Sequence, residues 1–162
     1  MNTAVRSEDP AAYLLTLQDD DSVIARALAI LTERTRRPVL LQSPQDVKDY
    51  LCVRAAGLGH EEFTILFLDS QHRLIEARTM FRGTLSQCSV YPREVVRAAV
   101  ELNAGAVILS HNHPSGSPEP SRADEMLTAT LKSALALVDV RTLDHIVVGG
   151  GRSVSLAERG LI

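Results

Sequence analysis

The sequence contains no tryptophan, and aromatic residues make up only 4% of its 162 positions, so any core has to be built mainly from Leu, Val, Ile and Ala. Cysteine is almost as scarce. Cys52 and Cys88 lie far apart and form no C-x-x-C pair, which argues against a zinc knuckle or a disulfide framework and suits a reducing compartment. No basic run stands out and the formal net charge is −3, so direct binding to nucleic acid is not expected. No apolar stretch approaches a membrane span. Residues 1–21 lack the basic start and apolar core of a secretory signal, and a cytoplasmic protein is expected. What remains is 45% hydrophobic and 23% charged, the balance of one globular domain with its own core.

Strands and helices alternate along the chain. After an acidic lead-in, Ser22 opens a predicted helix that stops before Pro38. Ser43-Pro44-Gln45-Asp46 is a stronger start signal, with Ser at the cap, Pro at the first helical position and acid in the first turn. Residues 63–69 read as a buried strand, 74–81 as its hairpin partner, and 91–102 as a helix ended by Asn103-Ala104-Gly105. A fully apolar strand, 106–109, is followed by a loop and a helix from Ser121 to about Val138. Residues 143–148 and 153–156 read as strands around the turn Gly149-Gly150-Gly151. The pattern argues a single α/β domain with a mixed sheet flanked by helices.

The chemistry concentrates in His111 to Asp124. In extended chain, residues i and i+2 leave one face, so His111 and His113 converge while Asn112 faces away. A Pro-, Gly- and Ser-rich loop then delivers Asp124 in the first turn of the next helix. Two imidazoles and a carboxylate leave a fourth tetrahedral position free for water, as in a catalytic zinc site. Amide hydrolysis there needs a carboxylate outside the metal shell as proton shuttle and a donor for the oxyanion. Ser121 is the candidate donor. Glu61, just ahead of a core strand that can lie beside 106–109, leads as the base. Glu62 and Glu76 compete, and spacing does not choose among them.

His-x-His followed by Pro-Ser-x-x-Asp, with ten residues between His113 and Asp124, resembles the JAMM motif of MPN-fold metallopeptidases. His111-Asn112-His113-Pro114-Ser115-Gly116, Leu66-Phe67-Leu68-Asp69, Gly83-Thr84-Leu85, Tyr91-Pro92-Arg93-Glu94 and Leu143-Asp144-His145-Ile146-Val147-Val148-Gly149 resemble its bacterial RadC branch. The resemblance runs from about Ser43 to Ile162. It divides the chain into a lead-in and helix at 1–42 and a RadC-like MPN/JAMM domain at 43–162. It implies a three-layer fold similar to the cytidine deaminases and one zinc on His111, His113 and Asp124. It also implies a glutamate base, carried onto Glu61, and oxyanion support from Ser121. Two features depart from the family: residues 1–42 show no helix-hairpin-helix pattern, and Arg78 stands where an acid is common.

Plainer readings compete at several positions. Ser121-x-x-Asp124 is also a helix capping pattern, compatible with the ligand role. His145 beside Asp144 reads as a strand histidine with a local hydrogen bond in preference to a residue supporting a metal ligand. His60 and His72 read as solvated loop residues, Cys88 as a small apolar residue rather than a nucleophile, and the glycine triplet as a turn rather than a phosphate cradle. The leading function is therefore a zinc hydrolase acting on a peptide or isopeptide amide. The alternatives are an MPN-fold interaction or DNA-repair-associated accessory module with an intact but idle site. The substrate is unknown, and self-association into a homo-oligomer stays open.

Overall fold

A computed structural model describes Ser22, Val23 and Arg26 together with residues 43–83 and 89–162. The chain divides into two compact units, 1–38 and 39–162, and the description concerns the second. The helix expected from Ser22 lies outside the described residues apart from the three named, which are helical. Thr84, Leu85 and Cys88 also lie outside them. Among the described residues, no helix is long and apolar enough to cross a membrane.

Helix α1 spans Pro44–Ala55 and starts as its sequence dictates. Ser43 is extended, its hydroxyl accepts from the Asp46 N–H at 3.2 Å, and its own N–H donates to Asp46 Oδ2 at 2.9 Å. This capping box satisfies two of the otherwise orphaned N–H groups. Strands β1 (Glu62–Leu68) and β2 (Leu74–Arg82) form the expected antiparallel hairpin. Helix α2 (Pro92–Glu101) ends where Asn103 turns left-handed at φ 51°. Then follow β3 (Ala106–Asn112), α3 (Arg122–Ala136), β4 (Arg141–Gly149) and β5 (Arg152–Ser155).

The sheet order is β2-β1-β3-β4-β5. β3 and β4 are parallel, joined by the crossover through α3, and the other pairs are antiparallel. Every residue of β1 and β3 is buried, as expected for strands covered on both faces. Alternation sorts their side chains into two cores. Phe63, Ile65, Phe67, Val107 and Leu109 pack with Val95, Ala98 and Ala99 of α2 and Leu131 and Leu135 of α3. Leu66, Leu68, Ala106, Ile108, Ile146 and Val148 pack with Val47 and Leu51 of α1. Helices thus cover both faces of a mixed sheet, giving three layers.

One boundary differs from the sequence expectation and bears on the site. β3 does not stop at Leu109. Pairing with β4 continues through His111↔Val147 and Asn112↔Val148, and the His113 N–H donates to the Val148 carbonyl at 2.8 Å. His111 is therefore a strand residue in the sheet interior, with His113 just past its end.

Candidate metal centre

His111, His113 and Asp124 come together with one donor atom from each lying within 4.8 Å of the others. The two Nε2 atoms are 3.0 Å apart. Asp124 Oδ1 is 3.3 Å from His111 Nε2, and Oδ2 is 3.6 Å from His113 Nε2. The His111 side chain is 1% exposed, against 20% for His113 and 15% for Asp124, so the cluster opens to solvent on the His113–Asp124 side. The His113 side chain meets the Ser117 carbonyl through Nδ1 at 2.9 Å. A carbonyl only accepts, so Nδ1 carries a hydrogen there and the ring is held with Nε2 toward the cluster. A convergence of ring nitrogens and carboxylate oxygens is a donor set that suits a borderline divalent cation such as zinc.

Asp124 is aimed by its helix. Ser121 is the N-cap of α3: its hydroxyl accepts from the Asp124 N–H at 3.2 Å, while its N–H and hydroxyl both donate to Asp124 Oδ2, at 2.6 and 2.7 Å. The cap is thus compatible with a ligand role for Asp124. Burial opposes the charge on Asp124, but bonds from His111, His113 and Ser121 outweigh it and hold the carboxyl far below the usual carboxylate range. The bond to Asp124 is the main influence raising His113; burial opposes it, and the Ser117 carbonyl and the charges of Asp124 and Glu61 add to the rise.

The competing glutamates are separated by sheet geometry. Phe63 pairs with His111 across β1 and β3, and its ring stacks on the imidazole with centroids 6.1 Å apart. Glu61, two residues before Phe63, falls on that same face, and its charge is felt at His113. Glu62 belongs to the opposite face and is fully engaged there: Oε1 accepts from Arg82 at 2.7 and 3.1 Å and meets His60 Nε2 at 2.9 Å, and Oε2 accepts from Thr79 at 3.2 Å. His60 is thus half-buried against a carboxylate, not the solvated loop residue expected, because the chain entering β1 brings the two side chains together. Glu76 pairs with Phe67, whose other neighbour is Val107, near the far end of β3 from the histidines. It is held by Arg78 at 2.7 and 2.9 Å.

Three residues that sequence reasoning did not assign to the site support it. Asn112 faces away from the metal cluster, as its position between the histidines requires. Its buried side chain accepts from the Glu62 N–H at 2.8 Å and donates to the His60 carbonyl at 2.9 Å, bracketing Glu61. His145 does not keep to a local hydrogen bond. Asp144 accepts instead from the backbone N–H groups of His145 and Ala157 and from the Ser155 hydroxyl, and the His145 ring turns to His111, with Nε2 at 2.8 Å from Nδ1. The third, Thr128, lies 2.5 Å from the other nitrogen of that ring. The only local signal for it was its place one turn after Asp124 on α3.

The loop between His113 and Ser121 rests on the β4–β5 turn. A Cβ on Gly149 would lie 2.6 Å from the Ser117 carbonyl carbon and 2.8 Å from Pro118 N, and one on Gly150 would lie 2.7 Å from the Gly116 oxygen. The glycines are required because the loop after His113 approaches this turn backbone to backbone. A cleft of about 350 Å³ runs beside it, reaching His113, Asn112 and Gly149 from Cys52 and Leu58.

A sequence model of the RadC-like JAB domain matches residues 41–161. The chain belongs to that family. It is 61% identical over 134 residues to a UPF0758 protein of Leptothrix cholodnii, covering 83% of this chain and 60% of that one. It is 58% identical over 141 residues to a UPF0758 protein of a Polaromonas species, covering 87% and 63%. A UPF0758 protein of Nitrosomonas eutropha is 55% identical over 141 residues, again 87% and 63%. The chain therefore spans about three fifths of the length of these relatives. The mixed sheet between helices is the architecture this RadC-like family implies.

Proposed function

We propose that this RadC-like domain is a zinc-dependent hydrolase of the JAMM type, cleaving a peptide or isopeptide amide bond in the cytoplasm. The observation that carries the reading is the His111–His113–Asp124 cluster, with its donor atoms gathered within 4.8 Å on the solvent-facing rim of a buried strand. The two Nε2 atoms and the Asp124 carboxylate would hold the ion. A bound zinc supplies Lewis-acid chemistry, lowering the pKa of water toward about 7 and polarising a carbonyl. Glu61 would receive the proton of the attacking water and return it to the leaving nitrogen, the role its face and its freedom from the Arg82 pair suit. The Ser121 hydroxyl, donated to Asp124 in this structure, would turn to the oxyanion as charge develops there.

The test joins metal analysis with turnover. The purified chain should contain, or take up, about one zinc, and the loaded protein should cleave members of a peptide or isopeptide library. Glu61→Gln should keep the metal and lose turnover, and His113→Ala should lose both. A protein that can neither be isolated with zinc nor be loaded with it sinks the proposal. A loaded protein that cleaves nothing, yet holds a partner independently of His113, is an interaction module.

A further inference from the structure

We propose that Tyr91 and Arg93 form a docking subsite for an acidic side chain of the substrate, joined to the candidate metal centre by a row of aromatic rings. The inference rests on the hydrolase reading above and names the class of peptide it would take. That peptide carries Asp or Glu about four or five residues from the bond that is cut.

The row starts at His111. Phe63 stacks on its imidazole with centroids 6.1 Å apart, Phe81 meets Phe63 edge-on at 6.4 Å, and Tyr91 meets Phe81 edge-on at 6.0 Å. Strand register keeps the first three in line, since Phe63 pairs with His111 on one side and with Phe81 on the other. Exposure rises outward: Phe63 is buried, Phe81 half-buried and Tyr91 53% exposed. The Arg93 guanidinium lies 5.9 Å from the Tyr91 ring centroid, and its side chain is 84% exposed. A tyrosine backed by other rings offers rigid contact area at low entropic cost.

The polar groups at the outer end are uncommitted. Among the described residues, the Tyr91 hydroxyl makes no hydrogen bond, and the one acid near Arg93 is Glu94, with Oε1 3.4 Å from Nε. The other oxygen of Glu94 is held by Arg97 at 2.6 Å, and no residue between Arg82 and Arg93 is charged. Arg93 also gains nothing from its own helix, whose dipole disfavours a cation in the first turn. Its terminal nitrogens are left as paired donors that match a carboxylate, and the Tyr91 hydroxyl can add one more. A single fork beside an exposed ring, in a chain of net charge −3, suits a peptide carboxylate and lacks the basic stripe of a nucleic-acid surface.

The subsite lies within reach of the metal centre. His113 follows β3, Glu61 precedes β1 and β2 finishes at Arg82, all at one end of the sheet. Phe81 is two strand spacings from His111, so the Tyr91 ring stands roughly 15 Å away, and an extended peptide covers that in about four or five residues.

The experiment uses the full chain and two fluorescein-labelled octapeptides, one of alternating Glu and Ala, the other of alternating Gln and Ala. Fluorescence anisotropy gives binding without requiring turnover. The acidic peptide should bind about tenfold tighter, with a preference that fades as salt rises. Arg93→Gln should abolish that preference, Arg93→Glu should transfer it to a Lys/Ala octapeptide, and Arg141→Gln, at the far end of the sheet, should leave it unchanged. Where the zinc-loaded chain cleaves a library, the cut peptides should be enriched in acid at that distance, and Arg93→Gln should raise KM with kcat little changed. Equal binding of the Glu and Gln peptides overturns the subsite, as does a folded Arg93→Gln protein with the wild-type preference. Duplex DNA bound through Arg93, with no preference between the peptides, overturns it too. A preference that depends on Arg93 in a zinc-loaded chain that cleaves nothing upholds the acidic subsite and sinks the hydrolase reading alone.

Discussion

Replacing Asn112 with alanine should separate the two halves of the proposed chemistry. The Asn112 amide is buried and makes two bonds, one to each side of Glu61: it accepts from the Glu62 N–H at 2.8 Å and donates to the His60 carbonyl at 2.9 Å. Truncation leaves both backbone groups without their partner. The Glu62 N–H sits in the interior and costs roughly 1–3 kcal/mol when unpaired. The His60 carbonyl, nearer solvent, adds about 1 kcal/mol. A loss of about 2–4 kcal/mol in the denaturant midpoint free energy is therefore expected. Once released, the segment carrying Glu61 can shift, and a displacement of about 1 Å at a reacting group costs roughly 100-fold in turnover. Zinc affinity should stay within about threefold, because the Asn112 side chain touches none of the three ligands. Asn112→Asp is the informative companion. It keeps the acceptor for the Glu62 N–H but sets a carboxylate against the His60 carbonyl, so it should be no more stable than alanine at neutral pH. Denaturation, dye-competition titration of zinc and kcat measurement on one substrate make up the assay. A stability loss below about 0.5 kcal/mol, or a zinc affinity as badly damaged as in His113→Ala, would refute the clamp.

Further expectations follow from the same geometry. Gly149→Ala drives a Cβ into the Ser117 carbonyl carbon at 2.6 Å, so it should lower stability by about 1–3 kcal/mol and weaken zinc by displacing the loop after His113. Gly151→Ala, at φ 72° with nothing within 4 Å, should cost only about 1 kcal/mol and leave zinc binding intact; thermal melts and titrations compare the pair. Burial pushes the Glu62 carboxyl up, yet bonds from His60, Arg82 and Thr79 outweigh burial and hold it below its ordinary 4.5. Its contribution is therefore present above about pH 4.5 and is lost as pH falls through the lower folded value. Glu62→Gln should flatten the acid limb of stability against pH while retaining most turnover. Glu61→Gln should do the reverse, sparing that limb and abolishing turnover.

The helix starts were legible in the sequence because their signals are local. Ser43-Pro44 and Ser121-x-x-Asp124 carry their own hydrogen-bond partners within one turn, and both form capping boxes. The convergence of His111, His113 and Asp124 was legible for a similar reason: strand periodicity aims the two histidines together, and the cap aims Asp124. His145 was not, since its role depends on β4 lying parallel to β3 in a register that no local pattern states. The tie of His60 to Glu62 and the need for glycine at 149 likewise arise only when segments distant in sequence meet. Glu61 and Glu62 could not be distinguished by spacing because they are neighbours. The pairing of Phe63 with His111 separates them, as it fixes which parity of β1 faces the cluster.

That parity organises the whole centre. Along β1 and β3 and the residues just outside them, the odd positions, Glu61, Phe63, His111 and His113, share the face covered by α2 and α3, where Asp124, Thr128 and His145 complete the cluster. The even positions, Glu62, Thr64, Ser110 and Asn112, take the other face and include the bonds that hold the first set in place. A one-residue slip between β1 and β3 would exchange these roles at once, burying Glu61 where Glu62 meets Arg82 and turning Phe63 away from His111. The Asn112 bracket opposes that slip, because its amide fits only when the Glu62 N–H and the His60 carbonyl stand on either side of it. The small polar residue between the two histidines thus sets the register on which both the candidate metal ligands and the proposed base depend.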